Sequence, residues 1–153
     1  VLNKRNVSKK DFKKFHPSGN LGAKLKTVED LMLTKEKIPF INEVSTMKIA
    51  LKIITSKKLG TLIVRNNRGD TTGIITDGQI RRLVQKNDHL NTLKVKNVMT
   101  KNPFKVEKDA LAIKALSIMN ENKITSLCVF NLKNKKKTIG IIHIHNILEV
   151  GIN

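Results

Sequence analysis

The sequence predicts an α/β (α+β) fold of two βαββα repeats packed about a pseudo-twofold axis, and three observations predict it. Val28-Glu29-Asp30-Leu31-Met32 returns as Val95-Lys96-Asn97-Val98-Met99, 67 residues on. Met47, Ala50, Leu51 and Ile54 return as Ala112, Ala115, Leu116 and Met119, 65 residues on. Each quartet has the i, i+3, i+4, i+7 spacing of the buried stripe of a helix. Gly73-Ile74-Ile75 returns as Gly140-Ile141-Ile142, again 67 residues on. A fixed order of elements at a nearly constant offset is the mark of an internal repeat.

Each element has its own justification. Ser45 and Asp109 stand just before the two helical quartets as candidate N-caps. The β-rich runs Thr61 to Arg65 and Ser126 to Phe130 follow as strands, and after a polar turn come second strands at Thr72 to Thr76 and Thr138 to His143. Short helices, Gln79 to Gln85 and Asn146 to Val150, close the copies, which run from 28 to 88 and from 95 to 150. A copy of about 60 residues is marginal as an independent core. The two are therefore expected to share one, with Ala50 and Ala115 packing near it and two quasi-equivalent clefts between the copies.

Composition removes other classes. Hydrophobic residues make up 39% and charged residues 27% of the 153 positions, which fits a globular domain with a core. The formal charge of +18 invites nucleic acid or an anionic surface. Against this, 25 of the 30 basic residues are Lys spread along the chain, and without Trp or Tyr it lacks the aromatic platforms that stack single-stranded bases. Neither nucleic acid nor membrane is expected as a partner. No apolar run approaches the roughly 18 residues of a membrane span, and the first residues lack a signal-peptide core. The lone Cys128 lies in an apolar stretch and reads as a buried thiol in a reducing compartment. The chain starts at Val1, which is read as the interior of a longer protein.

The strand end Gly73-Ile74-Ile75-Thr76 running into Asp77-Gly78-Gln79-Ile80 resembles the hallmark of cystathionine-β-synthase-type (CBS) domains, and residues 28 to 150 resemble a tandem pair of them. Such modules commonly bind adenosine or related nucleotides and regulate an attached enzyme. A narrower resemblance rests on GIITDGQIRRL, GIIHIHNIL, HPSGNLGAKL and KITSLCV, which are similar to the C-terminal half of D-arabinose 5-phosphate isomerases. It implies that residues 1 to 27 are the tail of a sugar isomerase domain and its linker. It further implies a cytoplasmic enzyme supplying 3-deoxy-D-manno-octulosonate for lipopolysaccharide or capsule, and a homo-oligomer. No cofactor is implied; the regulatory ligand would be CMP-Kdo, the nucleotide-activated octulosonate, or another nucleotide.

The candidate site residues follow from both readings. His16-Pro17-Ser18-Gly19 reads as a turn, or by resemblance as the active-site segment of the isomerase domain. In the second case His16 is a remnant, and the fragment is expected to be inactive without the carboxylates and lysine of the missing domain. At the strand ends Thr76 and Asp77 can meet a ligand, and the resemblance implies a diol-binding Asp three residues after Thr76 and at its counterpart. Gln79 and Asn146 stand there instead. Arg81 and Arg82 read either as a solvated helix face or as forks for a carboxylate or phosphate. His143 and His145, two apart at a strand end, read as anion contacts, as packing, or as half of a metal set whose third ligand is not evident; no metal is expected. Lys123, Thr125 and Ser126 precede the second-copy strand and can line the same cleft. The run Lys133 to Lys137 reads as a solvated turn.

These readings converge on a regulatory module that binds an anionic small molecule and serves an isomerase domain in its parent chain. The alternatives are an adenosine-nucleotide sensor attached to another enzyme and a basic nucleic-acid-binding module.

Overall fold

A computed structural model describes residues 21–86 and 89–153, and its longer strands form on the apolar runs of each repeat. In the first repeat β1 (Phe40–Asn42) lies parallel to β2 (Thr61–Arg65), and β2 is antiparallel to β3 (Thr71–Thr76). In the second, β5 (Lys105–Glu107), β6 (Ser126–Phe130) and β7 (Gly140–His143) repeat that arrangement. Helix α3 (Met47–Lys57) or α6 (Ala112–Asn122) joins the parallel strands, and α4 (Asp77–Val84) or α7 (Ile144–Leu148) follows the last strand. Both Lys58 and Lys123, 65 residues apart, end their helices in the left-handed region, with φ of 60° and 56°.

The repeats exchange their leading segments. Helix α5 (Val95–Val98) and the short β4 (Thr100–Lys101) follow the first repeat in sequence, and β4 completes its sheet in the order β1-β2-β3-β4. Reciprocally, α2 (Val28–Leu31), which follows α1 (Leu21–Lys24), opens the first repeat but packs on α6 and β7 of the second, and Leu33 bridges to Ile141. The backbone bonds match pair by pair: Val28 N to Ala110 O and Val95 N to Ser45 O are both 2.8 Å, and so are Ala112 N to Lys26 O and Met47 N to Leu93 O.

This exchange replaces the expected caps. Thr46 and Leu111, not Ser45 and Asp109, stand at the helix starts, and neither makes a side-chain cap. The leading N–H of each helix is satisfied instead by a carbonyl from the exchanged segment. Thr27 does form a capping box with Asp30, whose carboxyl is held below its ordinary value by the Thr27 backbone and side-chain hydrogen bonds.

Side-chain alternation along the strands divides the core into three. Leu62 and Val64 point to a cluster with Ala50, Ile54, Val95 and Val98; Leu127 and Val129 point to another with Val28, Ala115 and Met119. The residues between them, Ile63 and Cys128, face the seam between the sheets together with Ile38 and Ile141. The expectation that Ala50 and Ala115 pack near the shared core is therefore corrected. Each is fully buried under its own sheet, and the seam is made by the opposite strand faces. None of the described helices is long and apolar enough to cross a membrane.

Candidate functional site

Both strand ends open into one cavity of about 910 Å³, rather than into two separate clefts. The first repeat contributes Thr76, Asp77, Gln79, Arg81 and Arg82; the second contributes Lys123, Thr125, Ser126, His143, His145 and Asn146. The structure thus brings together every described residue singled out from the sequence as a ligand contact. His16 lies outside the described residues.

Local folding positions these groups. Thr76 ends β3 in extended geometry and its hydroxyl accepts from Gln79 N at 3.3 Å, so that it caps α4. Asp77 N donates to Gly60 O at 2.9 Å, and Ile144 N donates to Thr125 O at 2.8 Å in the same way. Gly60 has φ of 70°, and a Cβ there would approach Asp77 Oδ2 to 3.2 Å. Arg81 and Arg82 follow on α4 with exposed side chains at the cavity rim.

The two amides standing where diol-binding acids were expected are already engaged. Gln79 Nε2 donates to Val98 O at the end of the exchanged helix α5, 2.5 Å away. Asn146 Oδ1 accepts from His143 N at 2.8 Å and so closes the reciprocal half of a capping box. Gln79 serves a helix end and Asn146 a helix start, which leaves less of either for a ligand hydroxyl.

His143 is the other half of that box. Its Nδ1 accepts from His145 N at 3.1 Å, which puts the ring proton on Nε2. The strand ends at His143 and the chain turns at once into α7, so His145 is helical rather than extended. The two rings stack with centroids 4.8 Å apart. Burial, with a smaller contribution from His145, holds the His143 imidazole below its usual value of 6.5. Among the described residues no group of three or more His, Cys, Asp and Glu is placed to hold a metal ion.

Ser126 is 6% exposed, sits cross-strand from His143, and its Oγ has no hydrogen-bond partner. A buried hydroxyl left unpaired costs about 1–3 kcal/mol, which a polar ligand atom can recover. The cavity is mainly cationic, with Lys58, Arg81, Arg82 and Lys123 against the single acid Asp77. Sequence reasoning missed Lys58, Gly60 and the wall Asn102-Pro103-Phe104. Lys58 and Gly60 are the repeat counterparts of Lys123 and Thr125, so the offset of 65 carried that signal. Asn102-Pro103 is a turn signal, and nothing in the sequence says which cavity it borders.

The comparisons agree with this architecture. The family described as "CBS domain" matches residues 28–86 and 95–153. Arabinose 5-phosphate isomerase KdsD of Francisella tularensis is 36% identical over 154 residues, covering 99% of this chain and 46% of the relative. KdsD of Salmonella typhi is 34% identical over the same share. The chain thus spans about half the length of these relatives. The crystal structure of CBSX2 in complex with AMP superposes with a TM-score of 0.68 at 22% identity, covering 81% of this chain and 94% of that one.

Proposed function

The chain belongs to the CBS-domain family, and on that premise we propose that it is the regulatory ligand-binding pair of an arabinose 5-phosphate isomerase, sensing an anionic sugar nucleotide such as CMP-Kdo. The observation that carries this reading is the charge of the cavity. Four Lys and Arg side chains and two histidines surround it with one carboxylate, while the positions suited to a ribose diol hold amides bonded elsewhere. A ligand with a carboxylate and a phosphodiester matches such a lining better than a bare nucleoside does. The orphaned Ser126 hydroxyl adds a polar contact at the second-repeat end. Similarity to KdsD over the whole chain supports attachment to a sugar isomerase domain, and catalysis is assigned to that domain, with His16 as its remnant here.

Titration calorimetry at fixed salt tests the reading. CMP-Kdo is expected to bind more tightly than AMP, and Arg81→Ala or His145→Ala is expected to weaken it by roughly 10- to 150-fold, the loss of one charge-assisted contact. Tighter binding of AMP identifies an adenosine-nucleotide sensor instead, and turnover of arabinose 5-phosphate by this chain alone overturns the assignment of catalysis.

A further inference from the structure

The lysine run that reads from sequence as a solvated turn folds back on a second cavity. This cavity, of about 390 Å³, shares the wall Asn102-Pro103 with the cleft. Its volume is at the small end of ligand cavities, about 300–1,000 Å³.

Long-range bonds pin the turn in place. Thr71 N donates to Lys136 O at 2.8 Å, Lys105 Nζ donates to Lys135 O at 3.3 Å, and Lys137 Nζ bonds the Arg68 carbonyl and Asp70 Oδ1. On the pseudo-twofold axis the hydroxyls of Thr71 and Thr138, 67 residues apart, hydrogen-bond each other at 2.5 Å. Asp70 is the one acid in the lining and is already paired with Arg68 and Lys137. Among the described residues no carboxylate pairs with Lys105, Lys135 or Lys136. Lys105 instead stands over the Phe130 ring, 5.0 Å from its centroid.

Lys105, Lys135 and Lys136 border this concave space without a carboxylate partner among the described residues; their like charges repel one another, and a bound anion lowers that repulsion. We infer that this cavity is a second, separate ligand site that takes a small phosphomonoester. The phosphate meets Lys105, Lys135 and Lys136, and the rest of the molecule lies toward Thr72 and Thr138. Lysine serves here as a point charge for phosphate, a role that needs no planar fork.

The experiment titrates the 153-residue chain with inorganic phosphate and with glycerol 3-phosphate at constant ionic strength, following backbone amide shifts by NMR. Saturable shifts at Thr71, Lys136 and Thr138, tighter for glycerol 3-phosphate, are expected. Lys105→Gln and Lys136→Gln should each weaken binding about tenfold. Arg81→Ala, in the cleft, should leave it unchanged, so the result is independent of what the cleft binds. Shifts that fail to saturate, shifts confined to the cleft, or tighter binding of an unrelated duplex oligonucleotide through the same lysines would overturn the site. Circular dichroism of the two Lys→Gln variants establishes that they fold; if either does not, charge-reversing Lys135→Glu is read in its place.

Discussion

Met99 lies over Gly73, so close that a Cβ on residue 73 would stand 2.6 Å from its Sδ and 2.8 Å from the Thr100 carbonyl oxygen. The same relationship joins Met32 to Gly140. Each glycine belongs to one repeat and each methionine to the segment delivered by the other. A methyl at residue 73 must displace backbone of β4 as well as a pliable thioether. Gly73→Ala is therefore expected to destabilise by about 1–3 kcal/mol, read as a lower urea midpoint with unchanged slope.

Gln79 ties the first strand end to the exchanged helix α5 through the Val98 carbonyl. Gln79→Asp removes that donor and shortens the side chain, and should cost about 1 kcal/mol of stability. It also places a free carboxylate in the cavity. AMP binding is expected to tighten and CMP-Kdo binding to weaken in this variant, and parallel calorimetric titrations of the two ligands check the crossing of preferences.

The His143 ring is held below the usual imidazole value of 6.5, chiefly by burial. The native state thus takes up this proton less readily than the unfolded chain. The support that neutral His143 gives to folding is complete above about 6.5 and is lost as pH falls through that value toward the lower native one. Protonation at Nδ1 also breaks the cap on α7. The thermal midpoint should fall between pH 7.5 and 5, and His143→Gln should flatten that profile.

Burial pushes the Cys128 thiol up to about 11, against the smaller opposing effects of the Thr138 hydrogen bond and the Lys105 charge. It sits in the seam between the sheets. A thiol reagent at pH 8 should label the native protein slowly, at a rate set by opening of the seam, and should label it promptly in denaturant. Prompt native labelling would place Cys128 outside the core.

Much of this was readable because repeats announce themselves. Strands β2 and β6 matched their β-rich runs, and the eleven candidate site residues between Thr76 and Asn146 line one cavity because both strand ends carry the same Gly-apolar-apolar signature. The exchange of leading segments was invisible for a physical reason. An offset of 67 is the same whether Val28 packs on its own repeat or on the next, so self-similarity cannot tell the two apart. The helix caps were misread for a related reason: the partners of Met47 N and Ala112 N are carbonyls 46 and 86 residues away, and local capping rules see only neighbours. Engagement of Gln79 and Asn146 likewise depends on tertiary contacts rather than on spacing.

The reciprocal exchange also sets a timetable for a chain leaving the ribosome. The first repeat is complete in sequence when residue 86 emerges, yet its β3 edge stays unpaired until Thr100 and Lys101 arrive. Val28 to Leu33 must wait still longer, for Ala110 and then Ile141. During that interval an apolar edge strand and a buried-type helix are open to other chains, the condition under which strands pair with the wrong partner. Such long-range closures raise the contact order and slow folding. Interruption of synthesis between residues 86 and 101 should accordingly leave a product that cannot close even its first half.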